Sequence, residues 1–183
     1  MFPKTLIPDY MFDHYDDITP AFLASIGVRA LLIDIDNTLA PYEQPDPDER
    51  NLAWIALMKQ HGIGMALVSN NHRDRVERFA APLGLPVFWD SGKPFRKNLD
   101  RAMALLGSDT SNTAMLGDQL LTDAYAGAHI GLRTLIVPPI RDKRSLFVRF
   151  KRQIERPYIR AYRKRGPITT MSKEDSHEQT DPS

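Results

Sequence analysis

The chain contains no cysteine among its 183 residues. That absence excludes disulfides, thiolate metal sites and cysteine nucleophiles. It also removes any need for an oxidising compartment. The five histidines, at positions 14, 61, 72, 129 and 177, include no pair at a metal-binding spacing.

Long apolar segments are missing as well. The sequence has no stretch of 18 apolar residues, so it predicts no membrane-spanning helix. The N-terminal region carries Lys4 and then acidic residues from Asp9, without the apolar run of a signal peptide. We therefore expect a cytoplasmic protein. The length suits one domain with a small appendage.

Net charge is also nearly absent, because 24 Lys and Arg residues face 23 Asp and Glu residues. The distribution is uneven, however. Residues 1–140 hold 12 basic and 17 acidic side chains, whereas residues 141–165 hold 11 basic and 2 acidic side chains. Such asymmetry points to a polyanionic partner for the basic segment, either a membrane surface or nucleic acid.

Apolar runs and amphipathic segments alternate through the first 140 residues. Strands are predicted at 28–35, 63–68, 86–89, 112–116 and 133–137, and helices at 21–26, 48–61, 71–83, 94–106 and 120–129. In the helix at 94–106, Phe95, Leu99, Met103 and Leu106 form the apolar stripe. This alternation predicts an α/β fold, a Rossmann-like parallel sheet with helices on both faces. Such sheets bind ligands beyond the carboxyl ends of their strands.

Residues 145–164 combine an apolar helical stripe with a basic face, and Pro157 is expected to kink or split this helix. One interpretation is a helix packed on the domain with a solvated basic face. The other is an interfacial helix lying on anionic lipid. Nucleic-acid binding has no support beyond charge.

We divide the chain into a catalytic domain (1–140), a basic amphipathic extension (141–166) and a disordered tail (167–183).

Four polar clusters stand at the predicted strand ends. They are Asp34 with Asp36 and Thr38, Ser69 with Asn70 and Asn71, Lys93 with Pro94, and Gly117 with Asp118 and Asp123. Paired carboxylates that leave an apolar strand are costly to desolvate unless a cation or proton shares the site. Several carboxylates, one lysine and one serine at a single edge fit a magnesium ion and a phosphate.

The four clusters, in this order, resemble the motifs of the haloacid dehalogenase (HAD) superfamily of phosphatases. The resemblance covers about residues 5–140 and is closest to the YqeG type of subfamily IIIA, which is related to the mitochondrial phosphatidylglycerophosphate phosphatases. It rests on the segments Ile18-Thr19-Pro20, Asp34-Ile35-Asp36-Asn37-Thr38-Leu39, Val68-Ser69-Asn70-Asn71 and Gly117-Asp118-Gln119-Leu120-Leu121-Thr122-Asp123.

The resemblance implies a role for each site residue. Asp34 would attack phosphorus, and Asp36 would act as the general acid and base. Magnesium would be held by Asp34, Asp118 and the backbone carbonyl of Asp36. The phosphoryl group would contact Thr38, Ser69, Asn70 and Lys93, and Asp123 would support Lys93 or a metal-bound water.

Spacing between the motifs bears on the substrate. The gaps from Thr38 to Ser69 and from Asn70 to Lys93 each hold only one helix and one strand, so no cap domain fits. An uncovered site can admit a phosphate carried by a macromolecule or a bilayer, with the loop at 40–47 contributing to specificity.

These observations lead us to expect a magnesium-dependent phosphomonoesterase that acts on phosphatidylglycerophosphate or another membrane-presented phosphate. The protein would then lie peripherally on the inner face of the membrane. Two alternatives stay open. One is the same chemistry on a soluble sugar or nucleotide phosphate or an RNA end, and the other is a non-catalytic adaptor that binds RNA, ribosome or protein. The sequence leaves the oligomeric state undetermined.

Overall fold

A computed structural model describes residues 6–141 and 146–164 of the chain. Six parallel strands form one sheet in the order β1-β6-β5-β2-β3-β4. The strands are β1 (Tyr10–Met11), β2 (Ala30–Ile33), β3 (Gly64–Val68), β4 (Val87–Phe88), β5 (Thr113–Gly117) and β6 (Arg133–Ile136). The helices are α1 (Pro20–Ser25), α2 (Glu49–Gln60), α3 (Arg73–Ala80), α4 (Lys97–Leu106), α5 (Tyr125–Ile130) and α6 (Leu146–Lys164). The predicted fold class is confirmed.

Side chains of the central strand β2 alternate between two cores. Leu31 and Ile33 join the larger apolar cluster, which includes Trp54 of α2 and Phe79 of α3. Leu32 points the other way, into a cluster with α4 and α5. Because successive strand residues face opposite sides, a fully apolar β2 requires helices on both faces.

The strand order reverses next to β2. From β2 the sheet continues through β3 and β4 on one side, and through β5, β6 and β1 on the other. In open α/β sheets, ligands bind at the carboxyl edge where the order reverses. The first residues after β2, β3 and β5 are Asp34, Ser69 and Asp118, so three of the four polar clusters begin at this point.

Two local predictions differ from the structure. The predicted helix at 94–106 begins only at Lys97, and Phe95 is 75% exposed instead of lying on its apolar stripe. Residues before the helix form a turn, in which the amide of Phe95 donates to the carbonyl of Gly92. The two-residue strand β1, which pairs with β6, was not predicted because it is too short to show an alternation.

Helix α6 runs unbroken through Pro157, so of the two predicted effects of this proline, a kink or a split, the split is wrong. Its second half packs on the domain, where Tyr158 is buried against Leu6 and Leu120. The hydroxyl of Tyr162 accepts a hydrogen bond from the amide of Met11 at 3.0 Å. Tyr158 and Tyr162 therefore contact protein, as in the packed-helix interpretation.

Within the described ranges, no helix combines the length and the apolar character needed to cross a bilayer. The predicted disordered tail at 167–183 lies outside the described residues, as does Ser145 at the start of the predicted basic helix.

Candidate active site

A buried lysine connects two carboxylates at the centre of the site. The Nζ atom of Lys93 lies 2.6 Å from Oδ1 of Asp34 and 2.8 Å from Oδ1 of Asp123. All three side chains are shielded from solvent, and Lys93 is only 6% exposed. The structure thus brings together residues from three of the predicted clusters in one charged group.

Burial dominates the electrostatics of this group. It raises the pKa of Asp34 to about 7, against the opposing effect of the Lys93 charge, and the Asp123 charge raises it further. Burial also disfavours the charged form of Lys93. The negative charges of Asp123 and Asp34 outweigh that effect, so the pKa of Lys93 is raised and the ammonium stays protonated.

Asp118 completes a carboxylate cluster that fits a divalent cation. Oxygen atoms of Asp34, Asp118 and Asp123 all lie within 4.8 Å of one another. Oδ1 of Asp118 is buried and finds no hydrogen-bond partner in the described part of the chain. Burial, followed by the charges of Asp123 and Asp34, raises the pKa of Asp118 well above its usual value. Oxygen ligands and an unpaired buried acceptor are what a magnesium ion requires. Both oxygens of Asp123 are engaged, Oδ1 with Lys93 and Oδ2 with the amide of Gln119, whereas Asp34 contacts Lys93 through Oδ1. Asp34 and Asp118 are therefore the direct ligand candidates.

Gly117, the last residue of β5, allows Asp123 to reach this cluster. A Cβ atom at position 117 would overlap the side chain of Asp123. Asp123 lies in the π-helical turn Leu120–Ala124 that precedes α5, and its Oδ2 accepts a hydrogen bond from the amide of Gln119. The absence of a side chain at 117 is therefore a requirement of the site.

Ser69 and Asn70 have different surroundings, although both follow β3. The Ser69 hydroxyl is buried at the cavity and accepts a hydrogen bond from the amide of Asn71. The Asn70 side chain instead holds the backbone of Lys93, accepting from its amide at 2.8 Å and donating to its carbonyl at 3.0 Å. Asn70 also accepts from the hydroxyl of Ser91. Its side chain positions the lysine segment, so a phosphate contact at Asn70 would need the backbone.

The carboxylate of Asp36 is held by two side chains. Asn71 Nδ2 donates to its Oδ2 at 3.1 Å, and Arg75 Nη2 lies 3.2 Å from its Oδ1. Sequence reasoning missed Arg75. Asn71 lies two residues before α3 begins, and Arg75 lies in the first turn of that helix. An arginine one turn after a strand-end polar cluster was the signal that could have found it.

Arg75 also ties the 41–47 loop to the site. Its guanidinium donates to the carbonyl of Pro45 at 3.0 Å and to that of Pro41 at 3.4 Å. One turn later on the same helix, Arg78 forms a bidentate pair with Asp46. Two arginines of α3 therefore hold the loop for which the sequence suggested a role in specificity.

Thr38 is not brought to the cluster. Its side chain is completely buried, and its hydroxyl has no hydrogen-bond partner within the described residues. It borders a second cavity of about 300 Å³. The backbone makes a tight turn here, with Asn37 at φ 64° and the amide of Ala40 bonded to the carbonyl of Ile35. Thr38 is therefore not among the residues that line the cavity bordered by Asp34.

The carboxylate cluster opens into a cavity of about 730 Å³. Asp34, Asp36, Ser69, Asn70, Lys93, Asp118 and Asp123 lie on its catalytic side. A second set of lining residues, which we call the far wall, consists of Met11, Leu120, Ile136, Arg141, Glu155, Arg156, Ile159 and Arg163. Four of these residues belong to α6. The site is therefore not fully open, although residues 6–141 and 146–164 include no cap domain.

Comparisons with known proteins agree with this geometry. Residues 91–139 match the family model described as "HAD-hyrolase-like". The chain is 35% identical to the probable phosphatase YqeG of Bacillus subtilis over 168 residues, which cover 92% of this chain and 98% of that protein.

Two solved structures share the fold at low sequence identity. One is the putative 3-deoxy-D-manno-octulosonate 8-phosphate phosphatase from Vibrio cholerae (TM-score 0.52, 15% identity, 79% of this chain and 91% of that one). The other is the cobalt-bound deoxy-D-mannose-octulosonate 8-phosphate phosphatase (YrbI) from Haemophilus influenzae (TM-score 0.51, 16% identity, 75% of this chain and 91% of that one). The identity to YqeG across nearly the whole length of both proteins places this chain in the YqeG-type family of the HAD superfamily phosphatases.

Proposed function

We propose that the protein is a metal-dependent phosphomonoesterase that works through an aspartyl-phosphate at Asp34. The observation that carries this proposal is the buried Asp34–Lys93–Asp123 group beside the unpaired Oδ1 of Asp118, at the carboxyl edge of the sheet. A phosphoryl group approaching Asp34 would meet a fixed cation and a set of prepositioned polar groups. Phosphoryl transfer depends mainly on such positioning and charge stabilisation.

The reaction can be assigned step by step to residues of the chain. An oxygen of Asp34 attacks phosphorus, and the bond from phosphorus to the ester oxygen breaks. The leaving alcohol takes a proton from Asp36. Asp36 then removes a proton from water, which attacks phosphorus and restores the Asp34 carboxylate with release of inorganic phosphate.

Positioning residues support these steps. The Lys93 ammonium neutralises charge on the phosphoryl oxygens, and the Ser69 hydroxyl is placed to donate to one of them. Arg75 and Asn71 hold the Asp36 carboxylate in place for proton transfer. A magnesium ion held by Asp34 and Asp118 would supply further charge neutralisation when bound.

For the substrate we propose phosphatidylglycerophosphate or another phosphate presented at a membrane surface. The far wall supports this choice because it combines apolar side chains with three arginines. The basic composition of residues 141–165 adds attraction to anionic lipid, worth about 1 kcal/mol per residue near such a surface. Peripheral association would place the cavity next to the lipid headgroups.

A phosphate-release screen in magnesium tests the proposal. It should compare phosphatidylglycerophosphate in micelles, p-nitrophenyl phosphate, sugar and nucleotide phosphates, and RNA with 3′- or 5′-phosphates. We expect turnover of the lipid substrate at the highest kcat/KM, with loss of at least about 10³-fold in the Asp34→Asn protein. A preference for a soluble phosphate or an RNA end would reject the membrane substrate. If wild-type protein released no phosphate from any of these esters, the adaptor interpretation would replace the enzymatic one.

Binding to vesicles tests the membrane part separately. We expect the full chain to sediment with phosphatidylglycerol vesicles and much less with phosphatidylcholine vesicles, and the difference to shrink at high salt. Equal sedimentation with both would contradict an electrostatic attachment.

A further inference from the structure

The second half of α6 presents two parallel stripes of side chains. Glu155, Tyr158 and Tyr162 occupy positions i, i+3 and i+7, and they face the domain: the Glu155 carboxylate accepts a hydrogen bond from the amide of Leu120 at 3.0 Å. Shifting this pattern by one residue moves about 100° around the helix. The shifted positions hold Arg156, Ile159 and Arg163.

The shifted stripe borders the cavity that holds Asp34. Arg156, Ile159 and Arg163 all line it, and Arg141 lies on the same rim. The buried docking stripe fixes the helix, so the neighbouring stripe is held against the cavity. Glu155 is the carboxylate among the far-wall residues. It accepts the hydrogen bond from the amide of Leu120, and its charge adds to the effect of burial in raising the pKa of Asp118.

Three arginines on the far wall have no partner among the described residues. Arg141, Arg156 and Arg163 are exposed and make no hydrogen bond or ion pair with other described residues. Five other arginines, Arg50, Arg73, Arg75, Arg78 and Arg96, pair with carboxylates. An arginine fork left unpaired on a cavity wall is suited to bind an incoming carboxylate or phosphate.

We propose that α6 forms an anion subsite, in which Arg156 and Arg163 bind a second negatively charged group of the substrate while its phosphomonoester lies at Asp34. The inference rests on the proposed function and extends it to selectivity. The preferred substrates are phosphomonoesters that carry a second anionic group, such as a phosphodiester, on the side away from the reacting phosphate. Ile159, between the two arginines, offers apolar contact to the part of the substrate that joins the two charges.

The direct test compares two soluble substrates that differ by one anion. The first is glycerol 3-phosphate, and the second is glycerophosphoglycerol phosphate, which adds one phosphodiester. The variant is Arg156→Gln/Arg163→Gln. For each protein, kcat/KM for the second substrate is divided by kcat/KM for the first. We expect this ratio to be at least about tenfold lower in the double variant than in wild type, because an arginine contact to an anion is charge-assisted. Both arginines are exposed and unpaired, so an unchanged Tm should show that the variant still folds.

Arg160→Gln is the matched control. Arg160 is exposed on the same helix but does not line the cavity, so Arg160→Gln removes one positive charge, as Arg156→Gln and Arg163→Gln each do singly, without touching the subsite. We expect the wild-type ratio. A ratio that stays at the wild-type value in the double variant would overturn the proposal, and so would an equal fall in Arg160→Gln, because it would mean general attraction to a basic helix.

Binding measurements separate failure of the subsite from failure of the enzymatic proposal. Calorimetry on the Asp34→Asn protein with the same two compounds requires no turnover. We expect the second compound to bind at least about tenfold more tightly than the first, and this preference to disappear when Arg156 and Arg163 are also replaced. Equal affinities would overturn the subsite whether or not phosphate release is ever detected.

A third compound identifies the source of the second anion. Dihexanoyl phosphatidylglycerophosphate, below its critical micelle concentration, carries the same two charges with short acyl chains. A lower KM than that of the deacylated compound would assign the subsite to lipid headgroups. An equal KM would assign it to a soluble phosphodiester.

Discussion

Two regions line one cavity, and they hold their charges in opposite ways. On the catalytic side, Asp34, Lys93 and Asp123 are buried and paired at 2.6 and 2.8 Å. On the far wall, Arg156 and Arg163 are exposed and unpaired among the described residues. A reacting phosphate requires groups fixed before it arrives, whereas cations that select a substrate can remain solvated until it binds.

The difference has an energetic consequence. Removing one partner of a buried ion pair typically costs about 3–5 kcal/mol, because the other charge is left without compensation. Replacing an exposed, unpaired side chain usually changes stability by less than about 0.5 kcal/mol. Substitutions on the two sides should therefore separate cleanly in stability measurements as well as in kinetics.

The largest effect is expected at Lys93. Lys93→Met removes the cation between two buried carboxylates, so we expect a loss of about 3–5 kcal/mol in unfolding free energy and at least about 10³-fold in kcat/KM. Urea unfolding and phosphate release measure the two effects. Lys97→Met, at an exposed lysine four residues later, serves as the control and should change neither. A Lys93→Met protein with wild-type stability would contradict the buried-pair geometry.

The second effect concerns the backbone that admits Asp123. In Gly117→Ala the new methyl group overlaps Asp123, so the carboxylate must leave Lys93. We expect a loss of about 1–3 kcal/mol in stability and about 10- to 100-fold in kcat/KM. The control is Gly64→Ala, where the nearest atom to the new Cβ is 3.7 Å away and the methyl group fits. Equal behaviour of the two alanine variants would show that Gly117 is not required for this contact.

A smaller effect is expected for the arginine that holds Asp36. Arg75→Gln loses the ion pair at 3.2 Å and the bond to Pro45. We expect kcat for an alkyl phosphate to fall about tenfold, and that for p-nitrophenyl phosphate to fall less, because nitrophenolate leaves without needing a proton. Arg73→Gln, at an exposed arginine on the same helix, should leave both rates unchanged. A fall of the same size for both substrates would argue against a role in proton transfer.

The smallest effect is a pH dependence of stability in the metal-free protein. Burial raises the pKa of Asp34 to about 7 and also raises that of Asp118, so the folded state binds more protons than the unfolded state from about pH 4 upward. Stability should then fall as the pH rises from 4 to 7, by about 5 °C in Tm. Asp34→Asn should flatten this slope, and magnesium at pH 7 should restore stability. A Tm that rises with pH over this interval in metal-free protein would contradict the assignment.

The two regions were also unequally predictable from sequence. Asp34, Ser69 and Asp118 each follow an apolar run, and the parallel sheet brings such positions to one edge, so local patterns were sufficient. For Thr38 the local pattern was not sufficient, because the turn at Asn37 depends on backbone geometry that carries no periodic signal, and its phosphate contact stays a prediction.

Contacts between distant segments were harder to foresee. The docking of α6 depends on two hydrogen bonds between distant segments, from the amide of Met11 to Tyr162 and from the amide of Leu120 to Glu155. A local sequence pattern predicts neither of them. The helix itself was predicted, but its polar and apolar stripes fit a lipid surface as well as a protein surface. Only the contacts show that the stripe at 155, 158 and 162 faces the domain and that Arg156 and Arg163 border the cavity.

The central claim is that Asp34 carries the phosphoryl group, and trapping the phosphoenzyme tests it most directly. In the Asp36→Asn protein, p-nitrophenyl phosphate can still transfer its phosphoryl group to Asp34, because nitrophenolate leaves without a proton. The attack by water is slowed, because the general base Asp36 is missing. After rapid acid quenching in magnesium, we predict one hydroxylamine-labile phosphate per chain, located at Asp34. The Asp34→Asn/Asp36→Asn protein should carry none. Labelled phosphate on the double variant would contradict the account. So would a wild-type protein that releases phosphate while the Asp36→Asn protein carries no label at Asp34.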